Sequence, residues 1–288
     1  MNPSKSRSKS ISWTPELVDF IKLNYPRIGS VGCFRELGIP VSKIQDIVKF
    51  YKISMPKENR IRLINERINK TKKYKIHTEM FVNPTTPSAC YILGLLWADG
   101  SLRGTDDNSV RLTLKKSDGE SIIPIIQLTG NWSIKELQYR IHKNPVLFFR
   151  CCDKTLYSFL SNMGYRNKSV ESADKILSFI PEALRHYWWR GYFDGDGSLN
   201  KNNYGINITS TIEQDWSFLK LLPGTIVYGI KKYQRLVNGT LQSCSRVMIW
   251  GKRNVLEFLE YIYSGEIFGL TRKYDRYQNK LLLGYRGA

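Results

Sequence analysis

The chain has little with which to bind a soft metal or staple a secreted fold. Its five cysteines, Cys33, Cys90, Cys151, Cys152 and Cys244, are odd in number and form no Cys-x-x-Cys pair. Neither a disulfide framework nor a zinc ribbon is expected, and all five read as reduced thiols. The adjacent Cys151 and Cys152 are expected on opposite faces of a strand. The three histidines, His77, His142 and His186, do not cluster with them in sequence, which argues against a zinc site. Long apolar runs are also missing. The longest, near Tyr91–Ala98, is far short of the roughly 20 residues that span a bilayer. No amphipathic stretch is built for a membrane surface. The start, MNPSKSRSKSISW, is basic and Ser-rich with no apolar core behind it, so it is no secretory signal and a weak transit peptide.

Acidic side chains are scarce relative to basic ones, 25 against 44, a net charge of +19. Such a field attracts polyanions, nucleic acid first among them. The excess is greatest in residues 1–80, with 17 basic and 7 acidic side chains. Residues 11–54 read as three short helices: Thr14 and Pro15 open the first, Gly29-Ser30 breaks the chain, Gly38 ends the second, and Ser42 caps the third. Leu17, Ile21 and Leu23 would form the apolar face of the first. A short helix, a turn and a helix exposing Ser42, Lys43, Gln45 and Lys49 is helix-turn-helix spacing, which makes residues 1–54 a small all-α DNA-binding domain. Residues 55–80, dense in Lys and Arg, read as a basic linker or an arm along phosphates, with a solvated surface helix as the alternative.

From residue 81 the chain repeats itself. YILGLLWADGSL (91–102) and YWWRGYFDGDGSL (187–199) each read as a helix ending in Asp-Gly-Ser-Leu. A strand follows each (109–118 and 204–215), then a helical stretch (121–130 and 216–224). Further strands follow (145–152; 225–236 and 243–251), then a helix (156–165; 255–265) and a basic element, RNKS (166–169) and TRKYDRY (271–277). A repeat of roughly 100 residues implies two similar α+β halves, 81–180 and 181–288, related by a pseudo-twofold axis.

The aspartates do not fit a calcium loop. Counting from Asp194, Leu199 stands where the loop glycine belongs and Gly205 where its glutamate belongs; counting from Asp196, Lys201 stands at the glycine position. The helices offer another reason for the pattern. Gly94 and Ala98, like Gly191 and Gly195, are four apart and leave a flat stripe where two helix backbones can meet. Docking through these stripes brings Asp99 and Asp196 together, with Gly100 and Gly197 ending the helices. Two carboxylates at helix C-termini repel the dipoles and each other, which calls for a compensating cation. Oxygen ligands suit Mg²⁺ or Mn²⁺, and acids beside a basic surface imply metal-assisted phosphodiester hydrolysis, with activation of water and stabilisation of the leaving oxygen.

ILGLLWADG (92–100) and WRGYFDGDG (189–197) resemble the paired motifs of LAGLIDADG homing endonucleases, a resemblance that extends over residues 81–280. It implies two αββαββα halves with a DNA-binding β-saddle, in a monomer that cuts a long site in double-stranded DNA and promotes intron or gene mobility. The eighth motif residue, the family's metal-binding acid, maps to Asp99 and Asp196, with Ala98 and Gly195 as further metal positions. The often acidic sixth position is Trp97 in one copy and Asp194 in the other. Lys168 and Lys273 match the family's water-polarising basic residues; Lys115 and Lys116, or Ser210 and Thr211, are a second zone for that role. Strand alternation puts Arg111, Thr113 and Lys115 on one polar row, Asn207 and Thr209 on another, and Lys231, Tyr233 and Arg235 on a third. Lys116 and Arg246 complete the expected DNA contacts. An RNA maturase and a catalytically silent DNA-binding regulator are the rival readings. The chain is expected to be free-standing or intron-encoded, since it lacks an intein's His-Asn end. It is expected in the cytoplasm with the nucleoid if bacterial or phage-encoded, or in an organelle matrix.

Overall fold

Thr14 and Pro15 open the first helix as their types predict: the Thr14 hydroxyl accepts from the Leu17 amide at 3.3 Å and Pro15 takes the first turn. The computed structural model describes residues 13–71, 73–104, 107–138, 144–237 and 240–285. His142 therefore lies outside the described residues. The chain forms two compact units, Met1–Lys73 and Tyr74–Ala288.

In the first unit, helix α1 (Pro15–Leu37) is two helical stretches joined at Gly29, which has φ 69° and ψ −179°. The break falls where the sequence places it, and Gly38, at φ 66°, ends the helix with its amide on the Phe34 carbonyl. Helix α2 (Val41–Phe50) begins earlier than expected: Pro40 holds the cap position and Ser42 lies in the first turn, capping nothing. Pro40 already has the extended backbone, φ −52° and ψ 138°, from which a helix departs. In the basic stretch 55–80 the surface-helix alternative holds over Lys57–Thr71, which form helix α3, in place of an extended linker or arm. The kink at Gly29 leaves carbonyls before it without helical partners. Asn59 donates to the Pro26 carbonyl at 3.1 Å and Arg62 to the Arg27 carbonyl at 2.6 Å. The core here is Val18, Ile21, Cys33, Ile44 and Ile47; Leu23, expected on the apolar face, is 80% exposed.

The second unit opens with a short helix, α4 (Glu79–Val82), and then builds one architecture twice. The first half runs α5 (Pro87–Asp99), β1 (Gly100–Arg103), β2 (Ser109–Lys115), α6 (Lys116–Leu128), β3 (Ser133–Leu137), β4 (Val146–Cys152) and α7 (Lys154–Asn162). Helix α8 (Asp174–Phe179) leads to the second half: α9 (Arg185–Asp196), β5 (Gly197–Leu199), β6 (Gly205–Thr211), a 3₁₀ turn (Ser217–Leu221), β7 (Gly229–Val237), β8 (Thr240–Trp250), α10 (Lys252–Ile262) and α11 (Thr271–Tyr285). The antiparallel sheets share one strand order, β1-β2-β4-β3 and β5-β6-β8-β7. Their registers match as well: Gly100 pairs with Leu112 and Gly197 with Ile208. The fold is thus α+β, two αββαββα-type halves, with the 3₁₀ turn standing where the first half has α6. Strands β1, β3 and β5 go beyond the sequence reading, and β7 starts at Gly229, so Thr225–Tyr228 is not strand. Cys151 is buried and Cys152 exposed, on opposite strand faces.

Helices α5 and α9 form the centre, and one apolar core runs through both halves around them. The glycine stripes do what their spacing predicts. A Cβ on Gly94 would lie 1.9 Å from the Trp188 carbonyl oxygen, and one on Gly191 would lie 2.1 Å from that of Tyr91. The backbones therefore meet where only glycine leaves room.

Candidate active site at two helix ends

Asp99 and Asp196 are the last residues of α5 and α9, and each is followed directly by a strand. Gly100 and Gly197 have extended backbones, φ −74° and −78°, rather than the left-handed cap conformation expected of them. They are needed for space instead: a Cβ would lie 2.5 Å from the Leu96 carbonyl oxygen in one case and 2.1 Å from the Phe193 ring in the other. Gly195 brings the two acids' helices together. Its Cβ would meet that of Ala98 at 2.2 Å and the Asp99 Oδ2 at 3.0 Å.

Carboxylates at helix C-termini oppose the dipole, and two lysines offset that cost. Lys168, in the turn after α7, donates through Nζ to the Leu96 carbonyl at 3.1 Å and the Ala98 carbonyl at 2.5 Å. Lys273, in the first turn of α11 and buried, donates to the carbonyls of Phe193 at 2.5 Å, Asp194 at 2.7 Å and Gly197 at 2.6 Å. Burial pushes both ammonium groups down to about 8, opposed by the aspartates beside them. Burial first, and then Asp99's charge, pushes the Asp196 carboxyl up to about 7. Burial likewise raises Asp99, against the pull of Lys168 and Lys273. The four charged groups thus form one electrostatic cluster.

Asp194, the neighbour of the site, has a different task. It is fully buried, and its Oδ2 accepts from the Tyr91 hydroxyl at 2.7 Å and the Leu270 amide at 2.9 Å. It ties α9 to α5 and to the entry of α11. Arg190, also buried, donates to the carbonyls of Ile262, Ser264 and Glu266 and so closes the end of α10.

The residues present fit a hard divalent cation. Two carboxylates, Asp99 exposed and Asp196 half-buried, the second raised in part by the charge of the first, sit with the Ala98 and Gly195 peptide groups at the helix ends. Among the described residues, no group of three or more His, Cys, Asp and Glu side chains could hold a metal ion, so a cation held by these two acids would need water or phosphate oxygens to complete its shell, as Mg²⁺ or Mn²⁺ allows. Ala98's carbonyl, one of the expected metal positions, is taken by Lys168 and keeps one lone pair for another partner.

The strand rows fall as alternation requires. Arg111, Thr113 and Lys115 share the outer face of β2, opposite Val110, Leu112 and Leu114 in the core. Arg111 is held by Ser109 at 2.8 Å and Asp107 at 3.3 Å, and Arg150 of β4 also binds Asp107. Lys116 begins α6 and pairs with Glu136 at 2.9 Å. In the second sheet Thr209, Arg246 and Lys231 stand in register across three strands. Arg246 donates to the Tyr233 hydroxyl at 2.8 Å and lies over its ring at 4.7 Å. Asn207 donates to the Asn200 side chain at 3.3 Å. Ser210 donates to Gln214, and Thr211 donates to the Ser169 carbonyl. Arg235 pairs through its backbone with Gln242; its side chain lies outside the described residues. In the first unit Ser42 and Lys49 are exposed and Lys43 half-buried. Lys135 of β3 and Arg150, which the sequence reading passed over, join the first sheet's outer face through the register Thr113–Phe148–Lys135 and Arg111–Arg150–Ser133. Strand β3 is short and mixes polar with apolar residues, so only its pairing marks the row.

A duplicated α+β fold whose two halves meet at glycine-packed helices, each ending in an aspartate, defines a two-motif protein with one shared acidic site. Residues 184–263 match the family described as LAGLIDADG-like domain, so the match falls on the half that carries Asp196. No curated protein matches the chain. Among solved structures it is similar to mesophilic variants of the homing endonuclease I-DmoI, with 18% identity over 62% of this chain and 97% of that one and a TM-score of 0.40. It is also similar to an I-DmoI variant in complex with its target DNA in the presence of Mn, with 19% identity over 62% and 95% and a TM-score of 0.41. Full-length DUF199/WhiA from Thermatoga maritima shares 17% identity over 72% of this chain and 65% of that one, with a TM-score of 0.43. Among the described residues no helix is long and apolar enough to cross a membrane.

Proposed function

We propose that this protein is a metal-dependent endonuclease that binds a long double-stranded DNA site and cuts both strands, in the service of intron or gene mobility. The observation that carries the reading is the meeting of Asp99 and Asp196, each followed by a strand of its sheet and flanked by a lysine on the same helix end. Asp99 and Asp196, with the peptide oxygens of Ala98 and Gly195, would hold Mg²⁺ or Mn²⁺. The bound cation would supply a polarised water and charge for the leaving oxygen. Lys168 and Lys273 pull the paired acids towards the ionised form, against burial, and fix the helix ends on which they ride. The outer sheet faces bind the duplex: Lys115, Lys231 and Arg246 neutralise phosphate or read base edges, and Arg111, Thr113, Asn207, Thr209 and Tyr233 add polar contacts. Helix α2, through Ser42, Lys43 and Lys49, extends the bound length, and the protein works as a monomer because it carries both motifs.

The test is cleavage of a randomised duplex library in Mg²⁺, against Ca²⁺ or EDTA, with Asp99→Asn and Asp196→Asn. Wild type should cut a defined subset, and each variant should bind the same duplexes while losing at least about a hundredfold in rate. Tight duplex binding without any cut would leave a DNA-binding regulator, and preference for structured RNA in a gel shift would leave a maturase.

A further inference from the structure

Each half places its lysine on a segment that touches the other half, but the two segments are held differently. The Lys168 turn meets the second half through uncharged groups: Thr211 on the Ser169 carbonyl and Gln214 on the Glu171 carbonyl at 2.8 Å. Nearby, Asp174 of α8 pairs with Lys220, whose side chain is 65% exposed. The Lys273 segment is held by a bidentate ion pair. Arg272 Nε donates to Asp118 Oδ1 at 2.8 Å and Nη2 donates to Oδ2 at 2.9 Å. Asp118 is buried in the first turn of α6, where a carboxylate also favours the helix dipole. Thr271 and Ser121 add a hydroxyl contact at 3.4 Å. Two planar groups matched by two parallel bonds fix direction as well as distance, which a lysine in place of Arg272 could not do.

Arg272 is the residue before Lys273, and Asp118 belongs to the half that carries Asp99. We propose that Asp118 and Arg272 are positioning residues: their pair sets Lys273 against the end of α9 and thereby governs one of the two strand cuts. The proposal rests on the endonuclease reading and deepens it. With the pair broken, α11 keeps its apolar face but loses the anchor that aims its first turn. The Asp196 side of the site loosens while the Lys168 side, held by its own contacts, does not. The two strands are then cut at unequal rates.

The experiment compares wild type with Arg272→Ala, Arg272→Lys, Asp118→Asn and the charge swap Asp118→Arg with Arg272→Asp. Hydrogen exchange by mass spectrometry reads peptides covering 193–199 and 268–280, alongside duplex affinity and strand-resolved cleavage of a selected target in Mg²⁺. Arg272→Ala should speed exchange in both peptides by about tenfold or more, leave affinity within about threefold, and accumulate nicked duplex. The swap should restore much of both protection and second-strand cutting, and Arg272→Lys should fall between. If Arg272→Ala unfolds the chain, Arg272→Lys and Asp118→Asn carry the comparison. Unchanged exchange at both peptides, or an equal loss on both strands together with lost affinity, would overturn the proposal. Altered exchange in a wild type that cuts no duplex would instead overturn the endonuclease reading and leave the brace standing.

Discussion

The Asp196 carboxyl shows how a single residue sets a pH dependence. Burial, and after it the charge of Asp99, pushes it up to about 7. The folded chain thus retains a proton that the unfolded chain releases near the ordinary carboxylate value, about 4. This contribution favours the folded state below about 4 and is lost as pH rises through about 7. A divalent cation works in the opposite sense, because it requires the ionised carboxylate and is excluded by the proton. The stabilisation given by Mg²⁺ over EDTA should therefore be small near about pH 6 and grow towards about pH 8. Thermal unfolding at both values measures it, and Asp196→Asn should abolish the difference. An equal shift at the two pH values would place the ion elsewhere.

At the scale of the element, the central helix pair carries the fold, and its tolerance is set by backbone contact. A methyl group on Gly94 or Gly191 would push against the partner helix's backbone, nearest at a carbonyl oxygen 1.9 Å and 2.1 Å away. Gly94→Ala and Gly191→Ala should each cost about 1–3 kcal/mol or more, read as a lower urea midpoint with an unchanged slope. Gly224→Ala, with open space around its Cβ, is the control and should be close to neutral. These stripes were legible in the sequence because helical spacing alone defines them. So were the outer rows of β2 and β6, which alternation defines, and the pair of acids, which the duplication marks. Other parts were hidden because they depend on residues far apart in the chain. Arg272 finds Asp118 across 154 positions. Asp194 is explained by Tyr91, 103 positions away. Helix α3 is docked by Asn59 and Arg62, which donate to carbonyls at a kink 33 and 35 residues earlier, partners that its charge-rich composition does not reveal when taken alone.

At the scale of the whole molecule, two sheets of one topology present unlike surfaces, and on the proposed function this bears on what sequence they would read. Ser101 of β1 pairs with Arg111 as Ser198 of β5 pairs with Asn207, so Arg111 and Asn207 occupy the same register position. Beside them stand Arg150 in one sheet and Met248 in the other. One step further along, Phe148 flanked by Thr113 and Lys135 corresponds to Arg246 flanked by Thr209 and Lys231. Arginine matches the two acceptors of guanine, and an asparagine amide matches adenine; each such pair is worth about 1–3 kcal/mol of discrimination. A pseudo-twofold protein with these unlike faces should prefer unlike half-sites. Duplexes selected from a random pool should not converge on a palindrome. Either palindrome built by doubling one selected half-site should bind at least about tenfold more weakly than the selected target at equal salt. Asn207→Ala should flatten base preference in one half of the selected site and leave the other unchanged, whereas Lys231→Ala should weaken all duplexes alike and reduce the salt dependence. Selection of a palindromic target, or an Asn207→Ala effect spread evenly over both halves, would show that the two sheets do not divide the site between them.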